Sequence, residues 1–249
     1  MKTRFLLALV TPLSFGACHK QAEDTPKPVP NAGGDMKPEP VAKETPPAQP
    51  SPDPAPAAGQ LRAPTKDDLA DYTAKLPGTG SKLLAQIDTN LGTIHCELLG
   101  DKAPMTVANF VGLATGMKPW LDPKTNEVQK SKPYFDGLTF HRVISGFMIQ
   151  GGDPKGDGTG GPGYTFANEI APGLQMDPGA LAMANAGPDT NGSQFFIMEG
   201  SKPGLIGGYS IFGQCKDADV VKKITSVKTD PNDRPETPVT ITKVTITKG

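Results

Sequence analysis

Two short segments, both rich in glycine and in large apolar side chains, constrain this chain more than any other part of it. The first covers residues 140–153 and reads FHRVISGFMIQGGD, and the second covers residues 183–196 and reads MANAGPDTNGSQFF. Together they supply one guanidinium, several apolar side chains and a few amide groups, without a recognisable nucleophile motif or metal-ligand cluster. Such a set of groups is better suited to binding and distorting a ligand than to cleaving a bond.

The first 17 residues predict a signal peptide. Lys2 and Arg4 precede a short apolar run and then small residues, which is the layout of a secretory signal. The run is too short to span a bilayer as a helix. Residues 15–18 read FGAC and resemble a bacterial lipobox, which predicts a lipoprotein anchored through Cys18. The residue after Cys18 is His19, which favours the outer membrane facing the periplasm; the alternative is an ordinary signal and a soluble periplasmic or secreted protein.

Residues 18–62 predict a lipid-anchored, disordered linker rich in proline and alanine. The segment has few apolar side chains to bury, so it cannot offset the entropy lost on ordering. At about 3.1 Å per residue in polyproline geometry, a forty-residue tether could reach up to roughly 120 Å. The alternative to a plain spacer is a ligand for a proline-binding domain or a contact with the cell wall.

The remaining sequence predicts a short helical extension at residues 63–81 and a main domain at residues 82–249. In the extension, Thr65 followed by Asp68 predicts a capped helix that ends at Pro77. Within the main domain, runs rich in β-branched and aromatic residues predict strands at residues 83–89, 93–99, 138–143, 147–150, 180–184, 194–198, 210–215 and 239–247. Two further helices are expected, each with one apolar face. The first runs from Pro104 to Gly116, and the second is capped by Asp217.

Residues 118–135 are polar, contain three prolines and show no sustained period, so they predict a loop. We expect Trp120 to pin this loop to the body of the domain.

The segments at residues 140–153 and 183–196 resemble the signature of the cyclophilin family of peptidyl-prolyl cis-trans isomerases, and a looser resemblance extends over residues 82–248. It implies a mainly β fold, a closed eight-stranded antiparallel barrel capped by two helices. It also implies an enzyme that rotates X-Pro peptide bonds without a cofactor. The positions that match the family's site are Arg142, Phe147, Met148, Gln150, Gly158, Ala184, Asn185, Ala186, Gln194, Phe196 and Leu205.

By this resemblance Arg142 and Gln150 are catalytic, with Gln150 orienting the guanidinium and contacting the substrate backbone, and the other positions bind substrate. The spacing of eight between Arg142 and Gln150 would put both on one strand face, but Ser145 begins a predicted turn between them. Gly204 stands where a tryptophan is typical, and Tyr209, which we also assign to substrate binding, stands where a histidine is typical. Neither change removes a proton-transfer group, so they bear on cyclosporin affinity and substrate preference and not on activity.

Several other features have simpler explanations. The three histidines make no metal-ligand spacing, so we expect no metal, and His141 is expected to be structural. The glycine-rich residues 156–163 lack the strand, helix and lysine of a phosphate-binding loop, and instead let the chain pass close to bound peptide. Cys96 and Cys215 could form a disulfide or could be two small buried residues, and the sequence leaves both open.

The near balance of 25 basic and 26 acidic residues excludes the electrostatic footprint of a nucleic-acid-binding protein. We expect a monomer whose partners are unfolded or partly folded envelope proteins that contain proline. Two alternatives stay open. One is a periplasmic chaperone or proline-peptide binding module with incidental turnover, and the other is an envelope tether in which the linker matters most.

Overall fold

The computed structural model describes residues 61–249. The predicted signal peptide, the lipidation site Cys18 and the linker as far as residue 60 lie outside the described residues. No helix within residues 61–249 is both long and apolar enough to cross a membrane.

The described residues form ten strands, eight of which make one antiparallel sheet in the order β10-β1-β2-β9-β7-β8-β6-β5. The strands are β1 Leu83–Thr89, β2 Gly92–Leu98, β3 Trp120–Asp122, β4 Glu127–Gln129, β5 Arg142–Ile144, β6 Met148–Gly151, β7 Ala180–Met183, β8 Phe195–Met198, β9 Ile211–Cys215 and β10 Ile241–Lys248. The mainly β, eight-stranded prediction is confirmed.

The prediction of a closed barrel is overstated, because β5 and β10 are the two ends of the sheet order. The chain just before each of them pairs around a bridge between Thr139 and Thr240, where the Phe140 N–H donates to Val239 O at 2.9 Å and the Ile241 N–H donates to Leu138 O at 2.8 Å. Along β5 itself the Val143 N–H donates to Asp233 O at 2.8 Å, so the loop after the last helix occupies the edge that barrel closure would need. The sheet is a curled half-barrel with a short seam.

Three α-helices accompany the sheet within the described residues: α1 Asp68–Thr73, α2 Pro104–Thr115 and α3 Ala218–Thr225. Helix α2 begins at Pro104 and is closed by Gly116, as the sequence predicted. Gly116 follows the last helical residue and has a left-handed φ of 73°. Its apolar side chains are not confined to one face, since residues 106–114 are all buried. The outer side is covered by the N-terminal extension, because an added Cβ at Gly112 would lie 2.7 Å from the Tyr72 ring.

Asp217 precedes α3 as predicted, but its side chain does not cap the helix. The carboxylate instead accepts from the His95 N–H at 2.6 Å and lies 3.1 Å from His95 Nδ1, so it ties α3 to β2.

The loop predicted at residues 118–135 contains the hairpin β3–β4, in which Trp120 pairs with Gln129. Each of its strands has only three residues, too few to show a period in sequence. Trp120 is buried, and its Nε1–H donates to Lys132 O at 3.0 Å. The expectation that this side chain pins the segment is confirmed.

The main core lies between α2 and the sheet. Phe110 of α2 is its centre, with ring centroids 4.9 Å from Phe135, 5.3 Å from Phe212 and 5.5 Å from Phe195. A second, smaller apolar cluster includes Met148 and Phe196. This second cluster forms the base of the site described next.

Candidate active site

The hairpin β5–β6 places the two polar residues that the sequence singled out. Arg142 and Gln150 are directly opposite each other in the ladder, which puts both side chains on one face. Strand alternation alone could not show this, because the chain turns at Ser145 and Gly146 between them; Gly146 has a φ of +71°. The register of the hairpin, and not the spacing of eight, brings the pair together.

A cavity of about 200 Å³ opens beside this hairpin. Its lining consists entirely of residues that the sequence assigned to the site: Arg142, Phe147, Met148, Gln150, Ala184, Asn185, Phe196, Leu205 and Tyr209. Met148 and Phe196 are buried, and the Tyr209 ring packs edge-on against Phe196 with centroids 5.5 Å apart. The cavity therefore has an apolar floor and one cationic side chain in its wall.

The wall of this cavity is open beside Leu205. An added Cβ at the neighbouring Gly204 would meet no atom within 4 Å, so the position where the family typically has tryptophan is bare. Phe147, which also lines the cavity, has a cation near its ring, since Lys202 Nζ lies 5.5 Å from the ring centroid.

The Arg142 side chain is 45% exposed, and its Nε lies 3.4 Å from the Asp233 Oδ2. Within residues 61–249 this is its one recorded hydrogen-bond partner, so the two terminal amino groups can serve a ligand. Such exposed ion pairs contribute little to stability, typically about 0–1 kcal/mol. Sequence reasoning missed Asp233, because 91 residues separate it from Arg142 and no local pattern marks it.

A larger groove of about 840 Å³ adjoins the cavity and shares Gln150, Ala184 and Asn185 with it. The remaining predicted substrate-binding residues, Gly158, Ala186 and Gln194, line this groove. Every residue predicted for the site thus lines one of two adjoining spaces.

A series of hydrogen bonds along the groove runs through two glutamine side chains. Gln150 Nε2 donates to Gln194 Oε1 at 3.0 Å, and Gln194 Nε2 donates to the carbonyl oxygens of Gly158 and Gly160, each at 2.9 Å. In this structure Gln150 is therefore hydrogen-bonded to Gln194 and not to the guanidinium that it was expected to orient.

Asn185 lies where cavity and groove meet. Its Nδ2 donates to Gly208 O at 3.0 Å, and its Oδ1 accepts from the Gly187 N–H at 3.3 Å. In the part of the chain that the structure describes, no hydrogen bond engages the main-chain N–H or C=O of Asn185. Both groups are available to an extended peptide.

Asp153 holds the glycine-rich loop that edges the groove, and sequence reasoning missed it. The carboxylate is buried and accepts from the N–H groups of Lys155 at 2.8 Å, Asp157 at 3.0 Å and Gly158 at 2.6 Å. An added Cβ at Gly160 would lie 1.9 Å from Asp153 Oδ1, so only glycine fits there. An acidic residue three positions before a glycine-rich run was the available signal.

The other titratable candidates lie outside the two spaces. His141 is buried, neither ring nitrogen has a hydrogen-bond partner among the described residues, and burial lowers its pKa. The sulfur atoms of Cys96 and Cys215 are bonded, joining β2 to β9 across a residue pair of the sheet. No group of three or more His, Cys, Asp or Glu side chains within residues 61–249 is arranged to hold a metal ion.

Several known proteins have sequences similar to this one. The family described as cyclophilin type peptidyl-prolyl cis-trans isomerase/CLD matches residues 84–246. Peptidyl-prolyl cis-trans isomerase A of Mycobacterium tuberculosis is 55% identical over 166 residues, covering 65% of this chain and 91% of the relative. Peptidyl-prolyl cis-trans isomerase B of Streptomyces anulatus is 51% identical over 170 residues, covering 66% of this chain and 97% of the relative.

A solved structure shares the fold as well. The crystal structure of a cyclophilin type peptidyl-prolyl cis-trans isomerase from Cryptosporidium parvum is 34% identical, with a TM-score of 0.59 over 68% of this chain and 99% of that one. A second crystal structure of that protein was determined in the presence of the dipeptide Ala-Pro, with a TM-score of 0.58. The chain therefore belongs to the cyclophilin-type peptidyl-prolyl cis-trans isomerases, and it is an enzyme that interconverts the cis and trans forms of the peptide bond before proline.

Proposed function

We propose that the cavity beside Arg142 holds the proline ring of a substrate and that Arg142 stabilises the twisted peptide bond. The observation that carries this proposal is a single guanidinium in the wall of a cavity whose other walls are mostly apolar. The dipeptide Ala-Pro present with the Cryptosporidium relative supports a proline-containing ligand.

The barrier to be lowered is the loss of amide resonance, which makes the uncatalysed reaction take tens to hundreds of seconds. An acceleration of about a hundred-thousandfold needs roughly 7 kcal/mol. As the bond twists, its nitrogen becomes pyramidal and gains a lone pair, to which Arg142 donates. One preorganised donor in a site of this kind contributes about 3–4 kcal/mol. Desolvation of the carbonyl and positioning of the chain supply the rest.

The residue before proline is held while the other side of the bond turns. The main-chain N–H and C=O of Asn185 suit an extended peptide at this position. Gln150, like Asn185, lines both the cavity and the groove. Gln150 binds the substrate backbone from its cross-strand position opposite Arg142. No proton transfer and no covalent intermediate is required.

Replacing the guanidinium tests this mechanism. We expect Arg142→Ala to lower kcat/KM for a short X-Pro peptide by about 100- to 1,000-fold, the usual effect of removing one such donor. Arg142→Lys keeps the positive charge but loses the planar array of N–H donors of the guanidinium. Its activity should therefore lie between those of the unaltered chain and Arg142→Ala.

Asp233→Asn is the matched control, because it removes the ion pair and keeps the guanidinium. We expect less than a threefold change, since the pair is exposed. Full activity in Arg142→Ala, with the domain folded, would overturn the mechanism.

We also propose that the enzyme works on proteins of the cell envelope, attached to the outer membrane through lipid on Cys18 and facing the periplasm. The signal-like residues 1–17 support this location. So does the disulfide between Cys96 and Cys215, since such bonds persist in oxidising compartments. Fractionation of cells should find the chain in the outer membrane, and Cys18→Ser should release it to the soluble fraction. An unchanged distribution of Cys18→Ser would contradict the anchor.

A second candidate function, binding of unfolded chains without turnover, is favoured by the groove of about 840 Å³, which is much larger than one proline ring needs. Suppression of aggregation that survives Arg142→Ala, together with low activity of the unaltered chain on short peptides, would support this chaperone role. Loss of both properties in the variant would favour the enzyme.

A further inference from the structure

The described chain begins at the groove. An added Cβ at Gly163 would lie 2.6 Å from Leu121 Cβ and 3.0 Å from Leu61 Cδ2, so both leucine side chains lie over this glycine. Gly163 and Leu121 line the groove, in the part that the cavity does not share. The Leu121 N–H donates to Pro162 O at 2.9 Å, which joins hairpin β3–β4 to the same rim. Leu61 therefore lies at the edge of the peptide groove.

Two contacts fix this entry point to the domain. The Arg62 guanidinium pairs with Asp68, which is only 6% exposed. Lys118, which is 2% exposed, donates from Nζ to Arg62 O at 2.9 Å. Such partly buried, charge-assisted contacts are stronger than ordinary surface pairs. Whatever precedes Leu61 must start from this rim.

The residues that precede Leu61 have the composition of a ligand for the site. Residues 52–60 read PDPAPAAGQ and present Pro52, Pro54 and Pro56, each after a small or polar residue. Their side chains are small enough to lie in a groove edged by glycines, and the carboxylate of Asp53 complements Lys155 in the groove lining.

The length of the segment is sufficient. Pro52 is nine positions before Leu61, and an extended chain spans at most about 3.3–3.6 Å per residue, so it reaches roughly 30 Å. A domain of this size has a radius of gyration of roughly 16 Å. The prolines can therefore reach both the groove and the cavity that adjoins it.

We propose that residues 52–60 dock in the groove of their own molecule and present an X-Pro bond to the cavity. This inference rests on the proposed function of that cavity. A short tether confers an effective concentration in the millimolar range, and enzymes of ordinary affinity have KM values of about 1 µM to 1 mM. The segment consequently competes with incoming substrate, and a client must displace it.

The test compares three full-length chains: the unaltered one, a variant with Pro52, Pro54 and Pro56 changed to Ala, and a control with Pro26, Pro28 and Pro30 changed to Ala. We expect the first variant to lower KM for an X-Pro peptide by about two- to fivefold at unchanged kcat, because the competing occupant is lost. The control should retain a KM close to that of the unaltered chain, since its prolines near the groove are intact.

Amide NMR spectra of the same chains give a readout that needs no turnover. The signals of Gly158, Gly163 and Ala186 should move in the first variant and stay in the control. Tenfold dilution of the unaltered chain should leave them in place, because docking within one molecule does not depend on concentration; signals that move on dilution would identify a second copy as the occupant and overturn the proposal.

Equal KM values and superimposable spectra for all three chains would also overturn it. If the unaltered chain has no isomerase activity, the proposed function fails, and the NMR signals alone then decide whether the segment docks.

Discussion

Single buried polar side chains hold the loops and termini around the site in place. Asp153 gathers three main-chain N–H groups under the glycine-rich loop, and Lys118 fixes the main chain at Arg62 where the N-terminal segment enters. Both are nearly inaccessible to solvent. A buried charge is costly unless it has partners, so each of these residues couples the position of a loop to the stability of the domain.

Lys118 should make stability depend on pH. Burial, helped by the neighbouring Arg62 and opposed by Asp68, lowers its pKa to about 8 from the ordinary 10.5. Between these two pH values the unfolded chain binds a proton that the folded chain does not, so the stability present above pH 10.5 is lost as the pH falls towards 8.

We therefore compare Lys118→Met with the unaltered chain. Tyrosines also titrate above neutral pH, but both chains contain them, so their contribution cancels in the comparison. From pH 7 to 9.5 the free energy of unfolding of the unaltered chain should rise relative to the variant by roughly 2 kcal/mol. Urea unfolding at several pH values measures this difference. Lys130→Met, at an exposed position, should show no such trend; a pH-independent difference for Lys118→Met would contradict the argument.

At the scale of elements, helix α2 depends on a side chain far away in sequence. Ala103 precedes the helix and has no side-chain group to cap it. Glu169 supplies the cap: its carboxylate accepts from the Met105 N–H at 3.0 Å, and from the Thr106 N–H and hydroxyl, each at 2.7 Å. A negative charge at this end also complements the helix dipole. The Glu169 N–H donates to Ser210 Oγ at 2.8 Å, which links α2 to the strand region beside Tyr209.

Removal of this cap should destabilise the domain. We expect Glu169→Ala to lower the free energy of unfolding by about 1–2 kcal/mol, the usual effect of losing a helix cap. Glu169→Gln keeps one acceptor oxygen and should lose less. Urea unfolding midpoints measure both, with Glu127→Ala in exposed β4 as the control, expected within about 0.5 kcal/mol of the unaltered chain. Equal midpoints for Glu169→Ala and the control would show that the cap contributes nothing.

At the scale of the whole molecule, the disulfide closes a long covalent loop in the described domain. Cys96 and Cys215 are 119 residues apart in sequence, and the loop they close contains β5, β6, β7 and β8. A cross-link of this span reduces the entropy of the unfolded chain by an amount worth close to about 5 kcal/mol in the simplest treatment. It acts on folding and not on the cavity, whose lining contains neither cysteine.

Loss of the disulfide should therefore lower the stability of the domain and leave its activity nearly unchanged. The paired change Cys96→Ala and Cys215→Ala, or treatment with a dithiol, should lower the free energy of unfolding by about 3–5 kcal/mol. The kcat/KM of the folded protein at 25 °C should stay within about twofold of the oxidised form. Guanidinium unfolding and the peptide assay measure the two quantities. A loss below about 1 kcal/mol would show that the unfolded chain is already restricted by other means.

Local pattern determined much of this protein. The β-branched runs marked the eight strands of the main sheet to within a few residues, Pro104 and Gly116 marked the ends of α2, and the contiguous segments at residues 140–153 and 183–196 contain most of the cavity lining. These features rest on periodicity and backbone conformation, which neighbouring residues specify among themselves.

Only the tertiary structure decided which distant groups meet. Asp233 reaches Arg142, Glu169 caps α2, Asp217 turns from its own helix to His95, and the two cysteines become a cross-strand pair. The loop at Asp233 also keeps the sheet from closing along β5. Each of these outcomes depends on strand register and on partners tens of residues away, and no local sequence pattern carries that information, because one residue of slip would send every side chain to the other face.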